Sequence, residues 1–171
     1  MVRYILTKRK PPTMKTITIK HLLTTLFAFI LCLQLNAHPI LDYYKAHKND
    51  HKMEAKIVPP KAAAQLVDED YPEAIEVLKS MTSLRYLNFY GDQNKIKRYA
   101  EQAISSKGDY QLLLEKVEGT RNISVYGVKE NGLVRRLFVV VQTKTQFILM
   151  IGRGKLTQKH LDWLPALSEE I

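Results

Sequence analysis

The pattern of apolar and polar residues changes along the chain from a helical spacing to a strand spacing. Apolar residues three and four positions apart, such as Ile96, Tyr99 and Ala103, are typical of a helix that packs one side on a core. Short runs rich in branched and aromatic residues predict strands. Up to Gly108 we expect helices over Ile40–Asn49 and Lys61–Val67, a helix after Asp70 and a helix ended by Gly108, with strands over Glu54–Val58 and Leu84–Tyr90.

An acidic run precedes the third of these helices. Asp68-Glu69-Asp70 stands before Pro72, which suits the first turn of a helix, and Glu73 follows Asp70 by three residues. Carboxylates are favoured at the positive end of a helix. We therefore interpret the run as a helix start with Asp70 as its cap. A pair of catalytic carboxylates would need a cleft and a raised pKa, and the sequence indicates neither.

The remainder of the chain has the pattern of four strands and a helix. Asn131-Gly132 predicts a tight hairpin, because both central residues of that turn need positive φ. Phe138–Val141 is apolar on both faces, as expected for a central strand. The last helix begins near Thr157, and Pro165 stops or kinks it. The four strands are Tyr110–Val117, Asn122–Lys129, Leu133–Gln142 and Gln146–Ile151.

This order of elements predicts the fold class. Helices and strands followed by a run of hairpin-connected strands are typical of an α+β protein. We expect an antiparallel or mixed sheet of about five strands, with a C-terminal four-strand meander and with helices packed on one face. The other face would then be open to solvent or to a partner.

Three segments of this layout resemble a known family. They are the strand Leu84-Arg85-Tyr86-Leu87, the segment Gly108–Leu113, and Ile148–Gly152 followed by Leu156 and the closing helix. Over roughly Leu41–Ile171 the chain resembles the bacterial domain-of-unknown-function family 4252, small exported proteins of Gram-negative bacteria. Pro59-Pro60 and Pro165 depart from the family's pattern. The resemblance implies export, in many members as a lipoprotein, and it assigns no activity.

The beginning of the chain has the three parts of a secretory signal. Six basic residues and no acidic residue lie between Met1 and Lys20, and the apolar run Leu22–Leu35 follows. That run is shorter than the roughly 20 apolar residues that a membrane-spanning helix needs. We predict cleavage after Ala37, which makes residues 1–37 a signal peptide and residues 38–171 a single domain.

Two features leave the state of this leader open. Met14 would already begin a complete signal, and residues 1–13 would then lie upstream of the protein. Cys32 is the only cysteine, and Leu31 stands where lipoprotein signals carry a small residue. We expect a periplasmic or cell-envelope protein; the alternative is a membrane tether through an uncleaved signal or a lipidated Cys32. Cleavage after Ala37 would exclude disulfides, thiol nucleophiles and cysteine-bound metals.

The basic character of the chain comes mainly from the leader. The net charge is +9, but six of the 26 Lys and Arg residues lie in the leader and all 17 Asp and Glu residues follow it, which leaves the domain at +3. A domain that binds nucleic acid usually has a clustered basic face. We therefore expect no nucleic acid as a partner, and no membrane span once the signal has been removed.

Two histidines and a glycine-containing segment are the candidates for ligand binding. His47 and His51 are four residues apart, so on one helix they would share a face and could hold zinc with a third ligand. Neighbouring lysines oppose a cation there, and a solvated helix end is the alternative. Gly152-Arg153-Gly154-Lys155 separates a strand from a helix, where anions often bind. Arg153 and Lys155 are thus candidate anion ligands, although the spacing is not that of a phosphate-binding loop.

No catalytic motif and no cofactor site is visible in the sequence. There is no Gly-x-Ser-x-Gly elbow, and Arg135 and Arg136 are adjacent in a strand, so they point to opposite faces. Our first hypothesis is a non-enzymatic interaction module of the cell envelope that binds a protein partner at a sheet face or edge. The alternative is a carrier of a small ligand or anion that depends on Arg153. A hydrolase is the third hypothesis, and the sequence does not set the oligomeric state.

Overall fold

The computed structural model describes residues 38–170, with side chains described up to Leu164. The predicted leader, with Cys32 and the cleavage site after Ala37, lies outside the described residues. Between residues 38 and 170 no helix is long and apolar enough to cross a membrane. In chain order the elements are α1 Pro39–His47, β1 Met53–Val58, α2 Pro60–Ala63, α3 Pro72–Ser80, β2 Met81–Tyr90, α4 Gln93–Ser105, β3 Gln111–Glu118, β4 Arg121–Glu130, β5 Leu133–Gln142, β6 Gln146–Leu156 and α5 Gln158–Glu170.

The strands form one antiparallel sheet, which confirms the predicted α+β class. The described sheet has six strands rather than about five, in the order β1-β2-β6-β5-β4-β3. Strands β3 to β6 form the predicted meander. Asn131 and Gly132 join β4 to β5 with φ values of 52° and 77°, which are the two positive values that the hairpin prediction required.

Helices cover both faces of the sheet, so the expectation of helices on one face was wrong. On the first face, which we call the α4 face, α1 and α4 pack on buried residues such as Leu87, Phe138 and Phe147. On the second, the α5 face, α3 and α5 pack with α2 on residues such as Leu84 and Leu137. The physical reason is the sequence of the central strands. A strand that is apolar on both sides must bury both sides, and one helical layer can cover only one of them.

The helix starts differ from the prediction in the position of the capping carboxylate. Tyr71, not Asp70, is the N-cap of α3, and it makes no side-chain cap, although Pro72 begins the helix as expected. Asp68 instead accepts a hydrogen bond of 3.1 Å from the backbone N–H of Asp70 in the preceding turn. The carboxylate that caps a helix is Asp92, which accepts a bond of 3.0 Å from the N–H of Lys95 at the start of α4.

Several other boundaries also differ from the expected ones. Helix α2 has four residues and ends at Ala63, so it is shorter than the predicted Lys61–Val67. Strand β6 continues past Ile151 to Leu156. Helix α5 continues past Pro165 to Glu170, so the proline does not stop it.

Candidate functional site

The predicted anion-binding segment is part of a strand rather than a loop. Gly152–Lys155 lies within β6, and the side chains of Arg153 and Lys155 are exposed. The glycines have a packing role. A Cβ on Gly154 would lie 2.5 Å from the carbonyl oxygen of Ser80, and a Cβ on Gly152 would collide with the side chain of Met81. The two glycines therefore let β6 run close to the junction of α3 and β2, and no anion is needed to explain them.

Arg153 has arginine neighbours on the α4 face of the sheet. It pairs in register with Arg136 of β5, so the two side chains leave the sheet side by side. On the other side Arg153 pairs with Ser83 of β2, and Arg85 lies two residues further along that strand. Arg85 has the same parity as Leu87, so it also belongs to the α4 face. Strands β2, β6 and β5 thus each present an arginine on the α4 face, and of these only Arg153 and Arg136 are directly paired.

Arg136 has the most contacts of these arginines in the described structure. Its Nη2 donates a hydrogen bond of 2.6 Å to Oδ2 of Asp109, and its Nη1 lies 3.4 Å from Nε2 of His38. The guanidinium also lies over the ring of Tyr110, 5.4 Å from the centroid, which is within the range of a cation–π contact. Residues from the start of α1 and from the turn before β3 therefore converge on the guanidinium of Arg136 in β5.

His38 and Tyr110 bring buried polar atoms to the same place. Their rings meet edge to face with centroids 5.9 Å apart. The Nδ1 of His38 and the hydroxyl of Tyr110 are buried and have no hydrogen-bond partner. Burial raises the pKa of Tyr110 to about 12, and burial followed by the charges of Arg136 and Arg153 lowers the pKa of His38. We call His38, Asp109, Tyr110, Arg136 and Arg153 the arginine cluster.

The sequence identified only one member of this cluster as a site residue. The position of Arg153 after an apolar strand predicts it as a ligand, while no local pattern in the sequence marks His38, Asp109 or Tyr110. For Arg136 the alternation of a strand predicts only that it points away from Arg135. The available signal was a pair of charged residues inside the strongly apolar strand β5, since a charge in such a strand usually has a partner or a function.

A comparison with known protein families identifies the chain. The model of one family, described as a domain of unknown function and named DUF4252, matches residues 47–164. This chain belongs to the DUF4252 family. The resemblance found in the sequence is thereby confirmed. No curated protein and no solved structure shows a significant match. Asp109, Tyr110, Arg136 and Arg153 lie within the part matched by the DUF4252 model, and His38 precedes it.

The two histidines that were candidates for a metal site do not share a helix face in this DUF4252 protein. Helix α1 ends at His47, and His51 is exposed in the turn that follows. The Nδ1–H of His47 donates a hydrogen bond of 2.8 Å to Oδ2 of Asp50, and the hydroxyl of Tyr99 donates one of 2.9 Å to the same oxygen. Within residues 38–164 no group of three or more His, Cys, Asp or Glu side chains is placed to hold a metal. His47, Asp50 and Tyr99 thus form a hydrogen-bonded clamp between α1 and α4.

A third histidine also has a structural place. His160 is buried near the start of α5, and its Nδ1 accepts a hydrogen bond of 3.2 Å from the backbone N–H of Thr157. The other ring nitrogen therefore carries the proton and donates to Glu76 of α3 over 3.3 Å. This hydrogen bond lowers the pKa of Glu76. His160 thus caps one helix of the α5 face and ties it to the other.

The outer edge of β3 is the least covered part of the sheet. Among the described strands β3 pairs only with β4, and its exposed side chains include Leu112 at 51% and Val117 at 69% exposure. Leu112 pairs with Tyr126 and Val117 with Asn122, so both leave the sheet on the α4 face. Glu115 pairs with Ser124 and lies between them on the same side. The edge therefore presents an apolar, an acidic and an apolar side chain in line.

Proposed function

We propose that this DUF4252 protein is exported to the periplasm or cell envelope and acts there without catalysis, by binding a partner protein at the edge of β3. The observation that carries the proposal is the exposure of Leu112 and Val117 beside unpaired strand backbone. A free strand edge offers backbone donors and acceptors to an added strand, and the side chains along it select the partner. Because helices cover both faces of the sheet, the edge rather than a face is the docking surface.

The edge of β3 is better suited to bind an added strand than the edge of β1 is. Strand β1 is shorter, with six residues against eight in β3. Its exposed apolar residue Ile57 stands alone near the end of the strand. On β3 the exposed apolar side chains are on one side of the sheet, so an incoming strand could cover them together.

The expected partner is an extended segment with a basic residue between two apolar ones. Glu115 lies between Leu112 and Val117, and an opposite charge directly across a strand pair is stabilising. A second copy of the same chain is disfavoured. Antiparallel pairing of two β3 strands centred on Glu115 would place two carboxylates opposite each other.

Site-specific photo-crosslinking in the host tests the docking surface. We expect a crosslinker at Leu112 to capture one partner protein, and the same crosslinker at Ile57, which is also exposed but on the β1 edge, not to capture it. The captured partner is then purified, and its binding is measured for Glu115→Lys and for Lys56→Glu as the control. Loss of binding for Glu115→Lys alone supports the proposal. Equal capture at Leu112 and Ile57, or capture of another copy of the chain, overturns it.

Export is tested separately by the mass of the chain purified from its own host. The leader supports a mature protein that begins at His38 and occurs in the periplasmic fraction. A mass that includes an acylated Cys32 would assign the chain to the lipoproteins, and an intact leader would indicate a membrane tether. A cytoplasmic location of the full precursor would contradict export.

A further inference from the structure

We propose that Arg153 and Arg136, together with Tyr110 and His38, form a binding site for the oxyanion of a small molecule, either a carboxylate or a phosphate. This site uses residues other than those of the β3 edge, and it does not depend on the proposed protein partner. It also differs from the anion loop expected from the sequence. Arg153 lies within a strand, and the residues that complete the site with it come from three other parts of the chain.

The first argument is the balance of charge. Arg136 and Arg153 occupy directly paired positions, and like charges at such positions destabilise a sheet. Asp109 neutralises Arg136 at 2.6 Å, but among residues 38–164 the ion pairs give Arg153 no carboxylate. The cluster therefore has an excess positive charge that a bound anion would offset.

The second argument is the set of hydrogen-bond donors. Nη1 of Arg136 has only donor hydrogens, so Nε2 of His38 is the acceptor in their 3.4 Å contact. The imidazole is neutral near pH 7, because burial and the arginines lower its pKa. Its hydrogen is therefore on Nδ1, which is buried without an acceptor. The buried Nδ1–H of His38 is therefore a hydrogen-bond donor without an acceptor, and an anion would supply one.

The Tyr110 hydroxyl adds a second unpartnered donor. Tyr110 is only 3% exposed, and its hydroxyl has no partner, whereas buried hydroxyls normally have one. The charges of Arg136 and Arg153 act on this hydroxyl, which places it within the same field. Two buried donors thus lack acceptors close to the exposed guanidinium of Arg153, which has no carboxylate partner among residues 38–164, and the oxygens of a carboxylate or phosphate would bind all three.

The start of helix α1 also favours an anion at this place. His38 is the N-cap of this nine-residue helix and makes no side-chain cap. The N-terminus of a helix carries a partial positive charge that favours an anion nearby. Lys155 lies two residues beyond Arg153, the position that pairs with Arg136, so it is left out of the proposed site. Lys155 is therefore a matched control on the same strand.

The test is a titration of the full chain, expressed with its own leader, with inorganic phosphate and separately with acetate. Sodium chloride holds the ionic strength constant, and thermal unfolding together with calorimetry measures binding. We expect a saturable rise in Tm with at least one of the two anions. Arg153→Gln should weaken that binding by about tenfold or more, because it removes a charged donor. Lys155→Gln should bind like the wild type.

Tyr110→Phe separates a binding role from a structural one. The ring contacts with His38 and Phe138 remain, so the fold is retained, and the loss of the hydroxyl should weaken anion binding about fivefold. A response to phosphate alone assigns a phosphate ligand, and a response to acetate alone assigns a carboxylate. A response to neither anion, or the same response in the wild type and in Arg153→Gln, overturns the site.

Discussion

Tyr99 donates a hydrogen bond of 2.9 Å from its hydroxyl to Oδ2 of Asp50, 49 residues earlier in the chain. The same carboxylate oxygen accepts the Nδ1–H of His47, and Tyr43 of α1 donates to the backbone carbonyl of Tyr99. These bonds join the end of α1 and the turn after it to the middle of α4. Since both helices lie on the α4 face, the clamp fixes them against each other as well as against the sheet.

Tyr99→Phe should therefore lower the free energy of unfolding by about 1–2 kcal/mol, because it removes one hydrogen bond to a carboxylate. The substitution keeps the ring contacts with Phe89 and Phe147, so packing is not the cause of the loss. Urea unfolding measures the change. Tyr71→Phe, at an exposed tyrosine before α3, serves as the control and should have no measurable effect. Equal effects of the two substitutions would show that the clamp adds no stability.

Acid should weaken the same clamp. The hydrogen bond from His47 lowers the pKa of Asp50, and partial burial opposes this in part. Because the folded pKa lies below the unfolded value, the stabilisation from Asp50 is present above about pH 4 and is lost as the pH falls through the folded pKa. We expect the difference in unfolding free energy between the wild type and Asp50→Asn to shrink as the pH is lowered from about 7 to about 3.

In this comparison the contributions of other acid-sensitive groups to the unfolding free energy cancel. The pKa values of Glu76 and Glu118 are also lowered, by hydrogen bonds from His160 and Lys116, but both residues are present in each protein. A difference between wild type and Asp50→Asn that does not change with pH would contradict the role of the Asp50 carboxylate.

Two aspartates near helix starts should differ in their effect on stability. Asp92→Ala removes the side-chain cap of α4 and should cost about 1 kcal/mol. Asp70 makes no cap, so Asp70→Ala should change stability by less than about 0.5 kcal/mol. Chemical denaturation of both variants decides between the capping residue that the structure shows and the one expected from the sequence. A larger loss for Asp70→Ala would support the sequence-based cap.

The two glycines that flank Arg153 should tolerate a methyl group differently. A Cβ at Gly154 would lie 2.5 Å from the carbonyl oxygen of Ser80 and 3.0 Å from the Cα of Met81, and backbone atoms cannot move aside cheaply. At Gly152 the nearest atom is the flexible end of the Met81 side chain. We expect Gly154→Ala to cost about 2–3 kcal/mol and Gly152→Ala less than about 1.5 kcal/mol in urea unfolding. The opposite order would mean that β2 and β6 are not held at this distance.

Local signals in the sequence predicted most of the elements, while the layering of the helices was missed. The hairpin at Asn131-Gly132 follows from the conformation of two adjacent residues, so the sequence is sufficient to place it. The run Phe138–Val141 predicts a central strand, and a strand that is apolar on both sides also requires a helical layer on each face of the sheet. Phe147–Ile151 of β6 is apolar on both faces as well, and two such strands side by side require helices on both sides.

The candidate site was less predictable, because it depends on contacts between distant parts of the chain. Arg136 and Arg153 become neighbours only through the register of β5 and β6, which shifts between Val134 and Arg136. His38 lies 98 residues before Arg136, and no local pattern connects them. Arg153 was found because it follows an apolar strand, yet the loop expected around it was wrong. The reason is that Gly152 and Gly154, which suggested a loop, serve close packing within the strand.

Strand β6, the last strand of the chain, lies between β2 and β5 and is the only connection between them within the described sheet. During synthesis the β1–β2 pair and the β3–β5 meander therefore exist as two separate pieces until the residues up to Leu156 have emerged. Neither piece can bury both of its faces before then. A stop codon before β6 would leave two incomplete sheets with exposed apolar strands, and aggregation rather than a smaller stable domain is the expected result.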